Sequence, residues 1–316
     1  MMLNKSKRNR SLIYSVYIAF IAVFVLIGCS RKSSDKGFSG QMAYEHIESL
    51  VSYGPREPGS EAIAKAQNYI ESILNKYGWK VARQSFNDQT PIGEKKFVNL
   101  RARFSPNGDD LDWKDGGGKL LICSHYDTKI IKGINFVGAN DGGSSTGVLI
   151  ELARNLSKDP ERAKKIEFVF FDGEEAVVDF SATDGLYGSR YYGKYWRSAP
   201  KDKKPQSAYV LDLVGDKNMT IDPPFDSPAH LLSELYLAAS QIGKKSLFGI
   251  HSTPITDDHV PLNAAGIPAL DIIDSNYISG RKWHQEGDDL ASLSPKSLEV
   301  IGNVVLQIIE NRFPEN

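Results

Sequence analysis

Apolar residues along this chain form two kinds of pattern. Short runs rich in valine, isoleucine and phenylalanine are typical of strands buried on both faces. Longer stretches repeat apolar residues every three or four positions, which is typical of amphipathic helices. Four short apolar runs predict strands at 119–124, 166–171, 207–211 and 268–273. Two less apolar segments before them predict strands at 79–86 and 97–104. The longer stretches predict helices over 42–53, 60–77 and 186–196, and others that begin near 145, 227 and 294.

The alternation of strands and helices favours an α/β fold. We expect a mixed, mainly parallel central sheet between two helical layers. A chain of 316 residues with ordinary apolar content suits one sizeable α/β domain or two small ones. We assign residues 41–316 to a single domain, because no internal repeat or low-complexity segment divides them.

The amino terminus has the features of an export signal. Four basic residues between positions 5 and 10 precede an apolar run at 12–27, which ends in Leu-Ile-Gly-Cys29. This order predicts a signal peptide at 1–28, and its last residues resemble the lipobox of bacterial lipoproteins. Cys29 would then carry lipid, and the polar segment 29–40 would be a flexible tether. An uncleaved transmembrane anchor is the alternative, since the run is just short of the usual span of about 20 residues. Either way, we expect an extracytoplasmic domain that is attached to a bacterial membrane only through its amino terminus.

The charge and cysteine content of the chain bear on nucleic-acid binding and on the source of stability. The 38 lysines and arginines nearly balance the 39 aspartates and glutamates, so no basic excess indicates binding to nucleic acid. The chain has two cysteines, Cys29 and Cys123, and a lipidated Cys29 leaves no pair for an internal disulfide. Stability must therefore come from the hydrophobic core.

The strand predicted at 166–171 ends abruptly in Asp-Gly-Glu-Glu, which includes Glu174 and Glu175. Two adjacent carboxylates at the end of a buried strand are costly unless a cation or a reaction uses them. In open α/β sheets, ligands bind at this carboxyl end of the strands. The stretch therefore predicts an active site.

Other polar residues follow the remaining predicted strands or lie in nearby loops. Taken singly, each of these signals has an ordinary structural interpretation. His125 could be a structural residue, Asp141 a turn residue, and the glutamate pair a solvated helix start. If the strands are parallel neighbours, these groups share one rim, and a divalent cation is the simplest way to hold crowded carboxylates together. Imidazole and carboxylate ligands without thiolate suit zinc in a catalytic site. The residues concerned are His125, Asp127, Asp141, Glu174, Glu175, Asp212, Asp257 and His284.

These residues lie in stretches that resemble the animal-type, zinc-dependent glutaminyl-peptide cyclotransferases, which share their fold with zinc aminopeptidases. Asp-Gly-Glu-Glu-Ala and Asp-Gly-Leu-Tyr-Gly-Ser-Arg are more specific than the ligand motifs, which the aminopeptidases share. The resemblance implies an enzyme that converts the N-terminal glutamine of peptides and proteins to pyroglutamate and releases ammonia. The matching stretches are 124–128, 138–141, 170–176, 184–190, 211–215, 257–261, 266–270 and 283–284.

The resemblance also assigns roles to individual residues. It implies one zinc ion per chain, held by Asp141, Glu175 and His284. The acid/base carboxylate of the family matches Glu174. Asp212 and Asp257 match two acids that are hydrogen-bonded around the site.

The substrate pocket is the region where this sequence departs from the animal enzymes. Trp283 matches an indole that lines their pocket, but Phe180 and Asp271 stand where those enzymes carry tryptophan and histidine. Two extra residues also separate Ser275 from Trp283. We expect Phe180, Tyr277 and Trp283 to form an aromatic pocket that orients the substrate.

Two other functions fit the same motifs. A zinc aminopeptidase with a two-metal site is possible because His125 and Asp212 fall where that family holds its second zinc, and Asp127 would be a further ligand or a supporting residue. A non-catalytic binding module on the same scaffold would usually have lost a ligand or the glutamate base, and here all are present. We expect a monomer.

Overall fold

In the computed structural model, which describes residues 37–280 and 282–315, the four apolar runs form the parallel part of a six-stranded sheet. Every residue of these four strands is buried. The strands are β1 (Trp79–Thr90), β2 (Gly93–Phe104), β3 (Leu120–His125), β4 (Ile166–Phe171), β5 (Ser207–Asp212) and β6 (Ala269–Ile273).

The strand order is β1-β2-β4-β3-β5-β6. β1 and β2 form an antiparallel hairpin, β2 is antiparallel to β4, and the other neighbours are parallel. The expectation of a mixed, mainly parallel sheet is confirmed. Because β3 to β6 run in one direction, their carboxyl ends meet at one edge of the sheet.

The hairpin is longer than predicted. Its strands remain paired as far as Thr90 opposite Gly93. The additional pairs, such as Asp88 with Lys95, are polar, so the apolar pattern did not reveal them.

Helices cover both faces of the sheet. Side chains alternate along β3, so Leu120 and Ile122 face one layer while Leu121 and Cys123 face the other. The first layer contains α1, α2, α3, α6 and α9, and the second contains α5 and α7. The helices are α1 (Gly40–Val51), α2 (Glu61–Lys76), α3 (Gly143–Leu156), α4 (Pro160–Ala163), α5 (Tyr187–Arg197), α6 (Ala229–Gln241), α7 (His259–Ala264), α8 (Ser275–Ile278) and α9 (Pro295–Arg312).

The folded domain begins at Phe38, within the segment predicted to be a tether. Phe38 is buried, and its ring lies so close to Gly302 of α9 that a Cβ there would be 2.3 Å from it. The Ser39 side chain accepts a hydrogen bond from the Met42 N–H and caps α1. The rest of the tether before residue 37, the predicted signal peptide and Cys29 lie outside the described residues. Within the described ranges, no helix combines the length and apolar character needed to cross a membrane.

Candidate metal centre and active site

The carboxyl ends of β3, β4 and β5 and the loops around them form the candidate site. Two groups of three side chains lie there, and in each group the potential ligand atoms lie within 4.8 Å of one another. We call His125, Asp141 and Asp212 the buried triad, and Asp141, Glu175 and His284 the open triad. The two triads share Asp141. The parallel strands thus bring together residues that are up to 159 positions apart in the sequence, from His125 to His284.

The open triad contains the three ligands implied by the resemblance. His284 Nε2 lies 3.1 Å from Glu175 Oε1 and 3.4 Å from Asp141 Oδ2. The His284 ring stacks on Trp283 at a centroid distance of 3.9 Å and meets Phe136 edge-on at 5.7 Å. The backbone of His284 has a φ of 54°, in the left-handed region that strains a residue with a side chain. The loop thus holds this imidazole against Glu175 at a cost in backbone energy, and two aromatic rings fix its orientation.

The buried triad comes from strand ends rather than from an irregular loop. His125 Nε2 lies 3.1 Å from Asp212 Oδ1 and 3.2 Å from Asp141 Oδ1. His125 is the last residue of β3 and is 1% exposed, while Asp212 is the last residue of β5. The sheet itself therefore sets the geometry of this triad.

Asp127 belongs to neither triad and supports both. Its carboxylate accepts hydrogen bonds from the backbone N–H groups of Glu174 at 3.1 Å and Glu175 at 3.3 Å. One of its oxygens also lies 3.4 Å from His125 Nδ1. Asp127 therefore fixes the ends of β3 and β4 relative to each other. Of the two interpretations of this residue, the geometry favours the supporting role.

The turn that carries Asp141 is held by Asp288, which sequence analysis missed. The Asp288 carboxylate accepts hydrogen bonds from the N–H groups of Asn140 at 2.6 Å and Asp141 at 3.0 Å. Gly142 follows with a φ of 73°, and a Cβ there would lie 2.7 Å from the Asp127 carbonyl oxygen. Only glycine fits this position. Closeness to His284 in the sequence was the one available hint for Asp288.

Arg56 supports the same turn and was also missed. Its side chain is 0% exposed although it lies in a loop rich in glycine and proline, and loops usually run over the surface of a protein. The guanidinium donates hydrogen bonds to the carbonyl oxygens of Tyr126 at 2.7 Å, Val137 at 2.7 Å and Gly138 at 2.9 Å. No apolar periodicity marks such a residue, because its burial depends on distant backbone acceptors.

All three members of the open triad line a cavity of about 50 Å³. Glu174 also lines it, and its carboxylate has no hydrogen-bond partner among the described residues. The two adjacent glutamates thus differ, because Glu175 faces His284 while Glu174 faces the open space. Further lining residues predicted from the sequence are Asp212, Asp257, Phe180 and Trp283.

Tyr277 does not line this cavity, contrary to the expectation for an aromatic pocket. It is 6% exposed and packs against Leu213 and Ile273. The neighbouring Ile278 lines the cavity instead. Tyr277 belongs to the short helix α8, and the turn of that helix directs its ring into the protein.

The pKa shifts of the groups at the carboxyl ends of the strands indicate that the site lacks positive charge. Burial raises the pKa of Glu174 well above its usual range, and it also raises the pKa of Glu175. Burial acts in the same direction on Asp141, but attraction to the His125 and His284 imidazoles outweighs it and lowers the Asp141 pKa. Burial alone would lower the pKa of His284, yet Asp141 and Glu175 raise it to about 9. A bound cation would relieve the repulsion among these carboxylates.

The open triad fits a zinc ion. Glu175 Oε2 is buried and has no hydrogen-bond partner among the described residues. Asp141 Oδ2 is buried and likewise lacks a hydrogen bond, with His284 Nε2 at 3.4 Å. Unsatisfied carboxylate oxygens beside an imidazole are the ligand set of a catalytic zinc site with an open position.

Asp257 and Asp271 are two further buried acids near the cavity, and their negative charges repel each other. Neither Asp271 oxygen has a hydrogen-bond partner among the described residues, and His259 Nδ1 lies 3.7 Å from Asp271 Oδ2. Burial, together with Asp257, raises the pKa of Asp271 well above its usual range. Position 271, where the animal enzymes carry histidine, therefore adds a buried acid close to Asp257.

Comparison with known proteins agrees with this geometry. The family model for peptidase family M28 matches residues 110–309. A glutaminyl-peptide cyclotransferase of Dictyostelium discoideum is 31% identical over 282 residues, which cover 76% of this chain and 76% of that protein. The crystal structure of an Acidobacteriales bacterium glutaminyl cyclase is 33% identical, with a TM-score of 0.78 over 90% of this chain and 97% of that one.

An exopeptidase is also among the similar structures. A Zn-dependent exopeptidase from Parabacteroides distasonis is 25% identical, with a TM-score of 0.76 over 88% of this chain and 100% of that one. The two cyclases named above share more sequence with this chain than the exopeptidase does, and the aminopeptidase alternative is less supported. The chain belongs to peptidase family M28 and, within it, to the glutaminyl-peptide cyclotransferases.

Proposed function

We propose that this protein is a zinc-dependent cyclotransferase that converts the N-terminal glutamine of peptides and proteins to pyroglutamate. The observation that carries the proposal is the division between the two adjacent glutamates. Glu175 faces the open triad, and Glu174 presents an unpartnered carboxylate to the same cavity. Together they provide a metal ligand and a proton carrier at one reacting centre.

The reaction forms a bond between the α-amine nitrogen and the side-chain carbonyl carbon and breaks the bond from that carbon to the amide nitrogen. Zinc held by Asp141, Glu175 and His284 would polarise the carbonyl and stabilise the negative charge that develops on its oxygen. Glu174 accepts the proton that the attacking amine loses and donates it to the departing nitrogen, which leaves as ammonia. Glu174 thus takes up one proton and releases it again in each turnover, so the reaction needs no further acid or base.

Orientation is the remaining requirement, because the nucleophile and the electrophile belong to the same residue. Phe180 and Trp283 line the cavity and can pack against the aliphatic part of the folded glutamine. Holding the amine above the carbonyl removes much of the entropic cost of cyclisation. Asp212 and Asp257 border the same space, and the negative charge of Asp257 helps to raise the pKa of Glu174.

The test compares two substrates and counts metal ions. We expect purified protein to release ammonia from glutaminyl peptides, to leave leucyl peptides intact, and to contain about one zinc per chain. Cleavage of leucyl peptides together with two zinc ions per chain would instead identify an aminopeptidase, for which the buried triad provides a second set of ligands.

We also propose that lipid on Cys29 anchors the protein to the outer side of a bacterial membrane. The support is the sequence Leu-Ile-Gly-Cys29 after an apolar run, followed by a polar segment. The variant Cys29→Ala should remain active and move to the soluble fraction. Unchanged membrane retention of this variant in fractionation would favour an uncleaved anchor.

A further inference from the structure

A large cleft adjoins the small active-site cavity. It has a volume of about 640 Å³, in the range of ligand-binding pockets. Phe180 and Thr256 line both spaces, so the cleft continues directly from the cavity that contains Glu174. Its apolar wall includes Leu186, Val260 and Pro261.

Another part of the cleft lining is positively charged. Arg190, Lys194 and Arg197 lie on α5 at intervals of four and three residues, which places them on one face of the helix. None of the residues that line the cleft is acidic. This is an unusual charge distribution for a chain with a net charge of −1.

Two of these cations have no compensating partner among the described residues. The side chains of Lys194 and Arg197 form no hydrogen bond or ion pair with the described residues. Arg190 donates hydrogen bonds to the carbonyl oxygens of Ala182 at 2.9 Å and Thr183 at 3.3 Å, and an Asp88 oxygen is 4.0 Å away. Arg190 therefore holds the loop next to Phe180, while Lys194 and Arg197 have their charges free for a ligand.

Lys194 and Arg197 lie three residues apart, which is about 4.5 Å along the helix axis. An acidic side chain of a peptide in the cleft could therefore meet either charge.

Phe180 lies at the junction between cavity and cleft. Its ring packs over Gly185, where a Cβ would be 2.6 Å from the ring, and Gly185 has a φ of 94°. A side chain at position 185 would push the ring out of this place. Any substrate whose first residue occupies the cavity and whose next residues enter the cleft must pass this ring.

We propose that the cleft binds the residues that follow the N-terminal glutamine and selects substrates with acidic side chains there. This inference rests on the proposed function, because it assumes that glutamine occupies the cavity. We assign the peptide chain of the substrate to the cleft because the cleft continues from the cavity, and we assign acidic side chains to it because α5 is positively charged there. The selection acts mainly through KM, since the cations lie away from the reacting atoms.

The test uses hexapeptides that begin with glutamine, contain alanine elsewhere, and carry one glutamate or one lysine at each position from three to six. We expect kcat/KM of the wild-type protein to be about 2- to 10-fold higher for glutamate than for lysine at the best position, as is usual for exposed ion pairs, and to converge at high salt. In the double variant Lys194→Glu/Arg197→Glu the preference should reverse. The milder Lys194→Gln/Arg197→Gln should abolish it, which provides a second reading if charge reversal impairs folding.

Lys296→Glu is the control for charge reversal. It reverses one positive charge at an exposed residue of α9, on the other face of the sheet, which is half the change in the double variant, and it should retain the wild-type preference. Equal kcat/KM for glutamate and lysine peptides in the wild-type protein would overturn the inference, and so would a preference that persists in both double variants. If the wild-type protein cyclised no peptide, including glutaminyl-alanine amide, the proposed function itself would fail.

Discussion

The two triads share Asp141 and differ in how their other members are held. In the buried triad, His125 and Asp212 terminate adjacent parallel strands, so the sheet positions them. In the open triad, Glu175 and His284 lie in loops, and His284 adopts a left-handed backbone. All members of the open triad line the cavity, whereas His125 does not.

This difference separates a rigid support from a reactive centre. A ligand on a loop can face substrate, and here the position of the imidazole requires backbone strain and aromatic packing. A histidine at a strand end is held at little cost but has no access to the cavity. We therefore expect catalysis to depend on the open triad and the buried triad mainly to orient Asp141.

Among the changes that test this difference between the triads, removal of metal should have the largest effect on activity. Without a cation, the open triad has only the His284 imidazole against two buried carboxylates, so we expect activity to fall to background after chelation. Added zinc should restore it. Ammonia release and zinc content measured on the same samples check this expectation, and full activity in a metal-free sample would refute the metal role.

Glu174→Gln should have the next largest effect. The amide keeps the size of the side chain but cannot carry the proton, so kcat should fall by about 10²- to 10⁴-fold with little change in KM. Zinc should remain bound, because Glu174 faces the cavity and not His284.

Glu175→Gln is the matched control for that variant. It weakens a ligand of the open triad, so its loss of activity should accompany lower zinc content and be partly relieved by excess zinc. If Glu174→Gln lost zinc in the same way, or kept the wild-type rate, the division between the two glutamates would be wrong.

His125→Asn tests the buried triad. It removes the contacts to Asp141 and Asp212, and changes that disturb the support of a metal ligand typically cost about 10- to 100-fold in affinity or activity. We expect about one zinc per chain in both the wild type and the variant. A fall from two ions to one would show that the buried triad binds metal and would revive the aminopeptidase alternative.

Asp271→Asn should have the smallest effect of these changes, and we expect that effect to be on thermal stability. Burial raises the pKa of Asp271, so the folded state binds this proton more tightly than the unfolded state does. That contribution to stability is present below the unfolded pKa and is lost as pH rises through the folded pKa. Asparagine is uncharged at every pH, so the variant should have the higher Tm.

The Tm difference should grow between pH of about 5 and about 8, because the folded wild-type protein holds a proton that the unfolded chain has already released. Thermal unfolding of both proteins at the two pH values measures it. A difference that shrinks with pH would show that Asp271 is ionised in the folded protein and stabilised by another group.

Features encoded by apolar patterns were predictable from the sequence, and those encoded by buried polar contacts were not. The four parallel strands and the polar groups at their ends follow from apolar runs that stop abruptly. The polar end of the β1–β2 hairpin, the buried guanidinium of Arg56 and the carboxylate of Asp288 have no such pattern. Their positions depend on partners distant in the sequence, and hydrophobic periodicity carries no information about those partners.

The thiol of Cys123 offers a way to follow how the catalytic domain opens. Cys123 lies in β3, between β4 and β5, and is 0% exposed. Burial raises its pKa well above the usual range, so it is unreactive while the sheet is intact. In the Cys29→Ala background it is the sole cysteine of the chain, so its rate of labelling by a thiol reagent reports separation of the central strands. Comparing that rate with and without zinc would show directly whether an ion at the rim makes the sheet kinetically more stable.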